Sequence, residues 1–213
     1  MFHQVLRVAA NLLGPRFFGA RRYLSTLGCS VGDSIHVSGR PIIIKASGST
    51  IVFQNEVTLE SNPRINYSGI VHPCTIVTES SEASIFIGEG AGISGCTICA
   101  RCGVHIGKHV GIGANVSIYD NGFHPINPWE RRFDNDNHIL SQKVFIGDYS
   151  WIGANSVILK GVHIGKGAVI GANSVVTHDI PDHTVFAGNP AKFIREVHIT
   201  EEQKEELYGK DAG

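Results

Sequence analysis

The chain has 213 residues, 18 basic and 19 acidic, for a net charge of −1, which leaves no basic face of the kind nucleic acid demands. Hydrophobic residues make up 42%, enough for a sizeable core, and no run of 18 apolar residues marks a membrane-crossing helix. Five cysteines, an odd number, and a start without a cleavage site point to reduced thiols, no signal peptide and a cytoplasmic protein.

Residues 1–27 read as a helical lead-in. Phe2, Val5, Leu6, Ala9, Leu12 and Leu13 fall near helical spacing until Gly14-Pro15 interrupts them, and a second short segment runs from Phe17 to Leu27. With Arg7, Arg16, Arg21 and Arg22 in the same stretch, it serves either as a cap over an open core or as a basic amphipathic contact with a membrane face.

Residues 28–198 form the main domain. Ile35, Val37, Ile42, Ile44, Ile51, Phe53, Val57 and Leu59 alternate like short strands. The pattern sharpens at Ile87 and Ile93, takes one extra residue, and resumes at Ile106, Ile112 and Ile118. From Ile146 the period is six: Ile146, Ile152, Ile158, Ile164, Ile170 and Val176. Ser150, Ser156, Val162, Ala168 and Ser174 lie four positions after an anchor. Gly90, Asn115, Asn155, Gly161, Gly167 and Asn173 lie three after one, and these residue types tolerate positive φ at a corner. Six is too short for a helical repeat, so this is the hexapeptide pattern of a parallel β-helix. Three hexapeptides make one 18-residue triangular coil, and coils must stack to bury their anchors.

Ile118 and Ile146 are 28 positions apart where the repeat calls for six. The excursion, residues 119–143, adds nothing to a solenoid core, and long irregular loops of this kind usually carry function. It holds Asp120, His124, Pro125, Trp129, Arg131 and Arg132. The last coil ends near Gly188–Arg195. The tail, residues 199–213, contains a short helix with Thr200 as its N-cap.

The hexapeptide ladder, Phe123-His124-Pro125, Trp151-Ile152-Gly153-Ala154-Asn155 and Gly188-Asn189-Pro190-Ala191-Lys192 together resemble the sugar O-acetyltransferases: the maltose and galactoside enzymes and their polysaccharide-modifying relatives. Ile93-Ser94-Gly95 and Tyr119–Pro125 are most similar to the capsule and O-antigen acetyltransferases. The resemblance covers roughly residues 85–197. It implies an all-β, left-handed parallel β-helix, and a homotrimer with active sites between subunits. It also implies acetyl transfer from acetyl-CoA to a sugar hydroxyl without an acyl-enzyme and without a metal. The implied acceptor is a saccharide, nucleotide sugar or lipid-linked sugar in surface polysaccharide synthesis.

Transferred residue by residue, the resemblance gives His124 the role of general base. A sugar hydroxyl needs one, and an ordinary imidazole titrates near pH 6.5. Asp120, four residues before it, orients that imidazole, binds the acceptor or simply forms a turn. Ala154 and Ala172, 18 positions apart, match backbone contacts to the pantetheine arm of CoA. Thr177 and His178 match the next contact, His178 standing where relatives commonly have Lys. Lys192 and Arg195 match phosphate-binding cations, and Trp151 a pocket-lining indole. Ser94 lies where relatives place an acceptor-binding polar residue, and Arg131 and Arg132 are candidates to reach an anionic sugar.

Two other patterns suggest other chemistry. Cys96-x2-Cys99-x2-Cys102 is like part of an iron–sulfur motif but lacks a fourth nearby Cys. His105 and His109 raise a γ-carbonic-anhydrase-like zinc lyase, although the usual His-x4-His pair is absent. A non-catalytic β-helix scaffold is the third alternative, against which the His-Pro loop argues.

Overall fold

The computed structural model describes residues 14–133 and 138–209. The helical expectation for residues 1–13 therefore lies outside the described residues. Three short strands recur per coil, each burying alternate side chains on one face as the two-residue period of a strand requires. They stack into three sheets, parallel except for an antiparallel last pair in the second. Sheet A is built from β1 (Ser30–Val31), β4 (Thr50–Phe53), β7 (Ser84–Ile87), β10 (Gly103–Ile106), β13 (Val144–Ile146) and β16 (His163–Ile164). Sheet B stacks β2 (Ile35–Gly39), β5 (Val57–Ser61), β8 (Gly92–Ser94), β11 (Gly111–Ile112), β14 (Trp151–Ile152), β17 (Val169–Ile170), β19 (Thr184–Ala187) and β20 (Lys192–Glu196). Sheet C stacks β3 (Ile42–Lys45), β6 (Thr75–Thr78), β9 (Thr97–Ala100), β12 (Ser117–Tyr119), β15 (Val157–Ile158) and β18 (Val175–Val176). The cross-section is a triangle whose corners are the A–B, B–C and C–A turns.

The anchors stack as the period demands. Ile146 aligns with Ile164, Ile152 with Ile170 and Ile158 with Val176, all fully buried in one core cluster. Each such isoleucine contributes roughly 1.5–3 kcal/mol by leaving water. The small residues four positions on have a polar reason too. Ser150 Oγ reaches Gly147 O and Gly165 O, both at 2.7 Å, and Ser174 Oγ donates to Gly171 O at 2.6 Å. The hydroxyls thus satisfy corner carbonyls inside a buried turn. Gly90, Asn115, Asn155, Gly161, Gly167 and Asn173 all have positive φ. At Gly90 a Cβ would fall 2.2 Å from His109 Nδ1, so glycine is required there on two counts.

The extra residue between Ile93 and Ile106 resolves into two irregularities. Ile98, five positions after Ile93, takes the next inward place and pairs with Ile76 and Ile118. The following C–A corner, residues 101–102, is widened to compensate. A second departure was not expected. Residues 62–74 form an excursion at the B–C corner, climbing past Gly95 to coil four, where Asn115 holds Val71 N–H and Gly69 O at 2.9 and 3.2 Å.

At the lower end α1 (Pro15–Phe18) and α2 (Ala20–Thr26) precede β1. Pro15 opens a helix where the sequence suggested only an interruption, since proline is pre-set for the first helical position. Tyr23, Leu24 and Leu27 enter the core cluster. A five-residue helix, α3 (Pro128–Arg132), lies in the 119–143 excursion, and α4 (Glu201–Tyr208) ends the described chain. Thr200 and Gln203 form a reciprocal capping box on α4. Tyr208 packs at the A–B corner against Tyr149 and His183, with Lys166 over its ring. Among the described residues, no helix is long and apolar enough to cross a membrane.

Candidate active site

The large excursion leaves the coil at the C–A corner, after β12. Its neck is fastened by an Asn121–Ser141 bridge and by Gly122 N–H to Leu140 O at 3.1 Å. Beneath it, Asp120 is fully buried. Its carboxylate accepts from the backbone N–H groups of Arg101 (2.7 Å), Cys102 (2.7 Å) and Gly103 (2.5 Å). These are the donors that the widened corner would otherwise leave unpaired, an expensive condition in a partly buried turn. Asp120 therefore anchors the base of the excursion. Among the described residues no hydrogen bond joins it to His124, so orienting the imidazole directly is not what this geometry shows.

His124 is exposed, and its imidazole has no hydrogen-bond partner among the described residues. Its backbone is tightly held. His124 N–H donates to Gly122 O at 2.6 Å across Phe123, whose φ is +58°. This is a γ-turn of the strained, positive-φ kind on a bulky residue. Phe123 N–H in turn donates to Asn121 Oδ1 at 2.7 Å, and the Phe123 ring packs edge-on against Tyr119. A strained, over-determined turn thus presents a free imidazole to solvent. Further along, Asn127 caps α3 by accepting from Trp129 N–H. Arg131 Nη1 donates to Pro125 O and Ile126 O at 3.3 and 3.2 Å, while Arg132 lies over the Phe133 ring. Both arginines, offered to an anionic sugar, have partners inside the excursion. Ile126, Trp129, Phe133 and Leu140 nevertheless remain more than half exposed.

The other candidates lie elsewhere on the triangle. Trp151 stands on the outer face of sheet B, 59% exposed, aligned with Gly111 below and Val169 above. Val185 follows Val169 in register, and Arg195 follows Val185. Lys192 and Arg195 are three apart in a strand, which would ordinarily put them on opposite faces. A register shift between Val185 and Phe186 changes this: Lys192 pairs with Ala187 and Arg195 with Val185. Ala187 and Val185 are two apart and share a face, so the bulge brings both cations onto it. Phe186 and Phe193 pack ring to ring on the opposite side. Trp151, Lys192 and Arg195 therefore share the outward face of one sheet. Ala154 and Ala172 lie at the adjoining B–C corner, where Asn173 N–H donates to Ala154 O at 2.8 Å. Thr177 and His178 are exposed beyond β18 and bonded to each other at 2.7 Å. Ser94 ends β8 on the same outer face of sheet B, aligned with Glu60.

Cys96, Cys99, Cys102, His105 and His109 occupy structural settings. Burial raises the Cys96 thiol well above its ordinary range. Cys99 is pushed up to about 12 by burial and Glu79, and Cys102 to about 11 by burial and Asp120. His105 is sandwiched between Phe86 and Phe145, where burial lowers its proton affinity, and His109 stacks on Tyr149. Among the described residues, no three His, Cys, Asp or Glu side chains are grouped to hold a metal ion.

Two features escaped the sequence reading. The turn at Phe123 has no residue-type signal, because phenylalanine rarely takes positive φ. The 62–74 excursion did have one, the turn formers Asn62, Pro63, Asn66, Ser68 and Gly69.

A family profile described as bacterial transferase hexapeptide (six repeats) matches residues 143–178. An acetyltransferase of Dictyostelium discoideum is 39% identical over 147 residues, 69% of this chain and 68% of that protein. Other curated relatives are matched over about half their own length. The crystal structure of a maltose O-acetyltransferase from Clostridium difficile 630 is 27% identical, with a TM-score of 0.55 over 93% of this chain and 86% of that one. A hexapeptide-repeat acetyltransferase from Vibrio cholerae O1 biovar eltor, solved with acetyl coenzyme A, shares the fold at 22% identity and a TM-score of 0.58, over 92% and 86% of the two chains. On the fold, the repeat and these similarities, this chain belongs to the hexapeptide-repeat acetyltransferase family.

Proposed function

We propose that the protein transfers an acetyl group from acetyl-CoA to a saccharide hydroxyl in the making or modification of a surface polysaccharide, as a homotrimer of left-handed coils. One observation carries the assembly and the mechanism together. His124 rises from the C–A corner, whereas Trp151, Lys192 and Arg195 face outward from sheet B, the side of the triangle opposite that corner. A single chain separates the base from the donor-binding face. Side-by-side packing of copies brings the His124 excursion of one against sheet B of the next. It would also cover the apolar side chains that the excursion leaves in water.

In this reading His124 takes the proton of the attacking sugar hydroxyl as the new C–O bond forms at the thioester carbonyl. The imidazolium then returns the proton to the departing thiolate. Lys192 and Arg195 hold the phosphate-bearing head of the donor, paired cations being suited to that task. Trp151, Ala154 and Ala172 line its pantetheine arm, with Thr177 and His178 beyond. Asp120 acts as a positioning residue for the loop. A donor made in the cytoplasm and five unpaired cysteines support a cytoplasmic setting.

The test is thiol release from acetyl-CoA in the presence of a panel of sugars and nucleotide sugars. Acceptor-dependent release that His124→Ala abolishes is expected. Release that is unaffected by the substitution would overturn the assignment of the base.

A further inference from the structure

We propose that the outer face of sheet B below Trp151 is the docking floor of the acceptor, and that Glu60 on it selects a neutral saccharide. This rests on the O-acetyltransferase reading above. Two outward rows cross this part of the sheet. One runs His36, Thr58, Gly92, Gly111 and up to Trp151; the other runs Ser38, Glu60 and Ser94. With strands about 4.8 Å apart, Glu60 lies three strands, roughly 14 Å, below the Trp151 strand. The cations of β20 lie the same three strands above it. Trp151 thus divides the face into an upper part marked by phosphate-binding residues and a lower part marked by a carboxylate and hydroxyls.

The lower part is open. Gly92 has an ordinary φ, and a Cβ added there would meet nothing within 4 Å. Within one chain, neither backbone nor packing requires glycine at this position, and its absence of a side chain leaves the floor clear. Gly111 above it is bordered by the Trp151 ring, 3.3 Å from where a Cβ would stand. At the lower end of this face Ser38 donates its hydroxyl to Glu60 Oε2, and His36 Nε2 lies 3.9 Å from Oε1. The Glu60 side chain keeps 32% of its surface exposed, so it can still accept hydrogen bonds from a ligand. A carboxylate that is partly exposed and flanked by the hydroxyls of Ser38 and Ser94 suits the hydroxyls of a saccharide. The same carboxylate opposes an acidic sugar by like charge. The two loop arginines that could have recognised an acidic sugar are otherwise engaged. Arg131 binds the carbonyls of Pro125 and Ile126, and Arg132 covers Phe133.

The experiment measures thiol release with maltose, methyl β-D-galactoside and oligosialic acid as acceptors, in the wild type, Glu60→Gln and Gly92→Val. Thermal unfolding checks that each variant folds. The wild type is expected to prefer the neutral acceptors. Both substitutions should raise the neutral-acceptor KM about tenfold, the scale of one charge-assisted hydrogen bond or a blocked contact, and leave the KM for acetyl-CoA in place. Glu60→Gln alone should narrow the gap to oligosialic acid. An unchanged acceptor KM in both folded variants, or a wild type that prefers oligosialic acid, would overturn the proposal while leaving acetyl transfer intact. A wild type that releases no thiol with any acceptor would defeat the functional reading and the docking floor together.

Discussion

The C–A corner is closed in two contrasting ways. Between β15 and β16 it takes four residues, 159–162; between β12 and β13 it takes residues 120–143. The short version ends on buried Val162, in a coil where every anchor is inward. The long version leaves Ile126, Trp129, Phe133 and Leu140 in water and holds Phe123 in a strained turn. The coil uses its residues for stability, and the excursion accepts a local cost to present the His124 imidazole to solvent. The two regions should therefore fail differently when altered.

The largest effect on stability is expected in the coil. Ile152→Ala removes a fully buried anchor and should cost about 2–5 kcal/mol, read by chemical unfolding, with the folded fraction remaining active. Asp120→Ala lies at the seam. It strands three backbone donors in a partly buried corner and should cost about 3 kcal/mol, with kcat falling as the neck loosens; an unfolding midpoint equal to wild type would deny Asp120 its anchoring role. His124→Ala should do the reverse of Ile152→Ala. It should lower kcat about 10²-fold or more and leave the unfolding midpoint and acetyl-CoA binding unchanged.

Smaller effects follow on the outer faces. Replacing Lys192 and Arg195 together with Ala should raise the KM for acetyl-CoA about tenfold and remove most of its salt dependence; an unchanged KM would make them ordinary surface charges. The smallest effect concerns His105. Burial lowers its proton affinity in the fold, so below the ordinary imidazole range the unfolded chain binds the extra proton. Stability should then fall as pH drops from about 6.5 towards the lower folded value. His105→Phe, which keeps a ring between Phe86 and Phe145, should remove that part of the acid-side loss. An identical pH profile in the variant would contradict the assignment.

The sequence displays the coil from Ile146 onward because anchor, corner and small residue each recur at a fixed period, and each has one physical role. The capping residue Thr200 is legible for the same reason: a single side chain meets a single backbone need. The lower coils are harder to read, since the excursion at residues 62–74 hides that Glu60 aligns with Ser94, and the widened corner at 101–102 shifts the register again. Asp120 could not be placed from sequence, because its partners, the N–H groups of residues 101–103, are a coil away and carry no side-chain signature. The His-Pro pair drew attention to His124, but the strained turn that presents it depends on Phe123, a residue type that does not advertise positive φ. Likewise the spacing of Lys192 and Arg195 says nothing about a bulge, and only the register with β19 puts both on one face.

The proposed site is shared between copies, and complementation tests this most directly. Chains carrying His124→Ala are unfolded and refolded together with chains carrying Lys192→Ala and Arg195→Ala, and thiol release is compared with each variant alone. If the base of one copy serves the donor face of the next, some mixed interfaces unite an intact His124 with an intact Lys192–Arg195 pair, and a substantial fraction of wild-type activity at subsaturating acetyl-CoA should return. Activity no higher than the average of the two separate variants would show that base and donor face belong to the same chain, and would contradict the shared site.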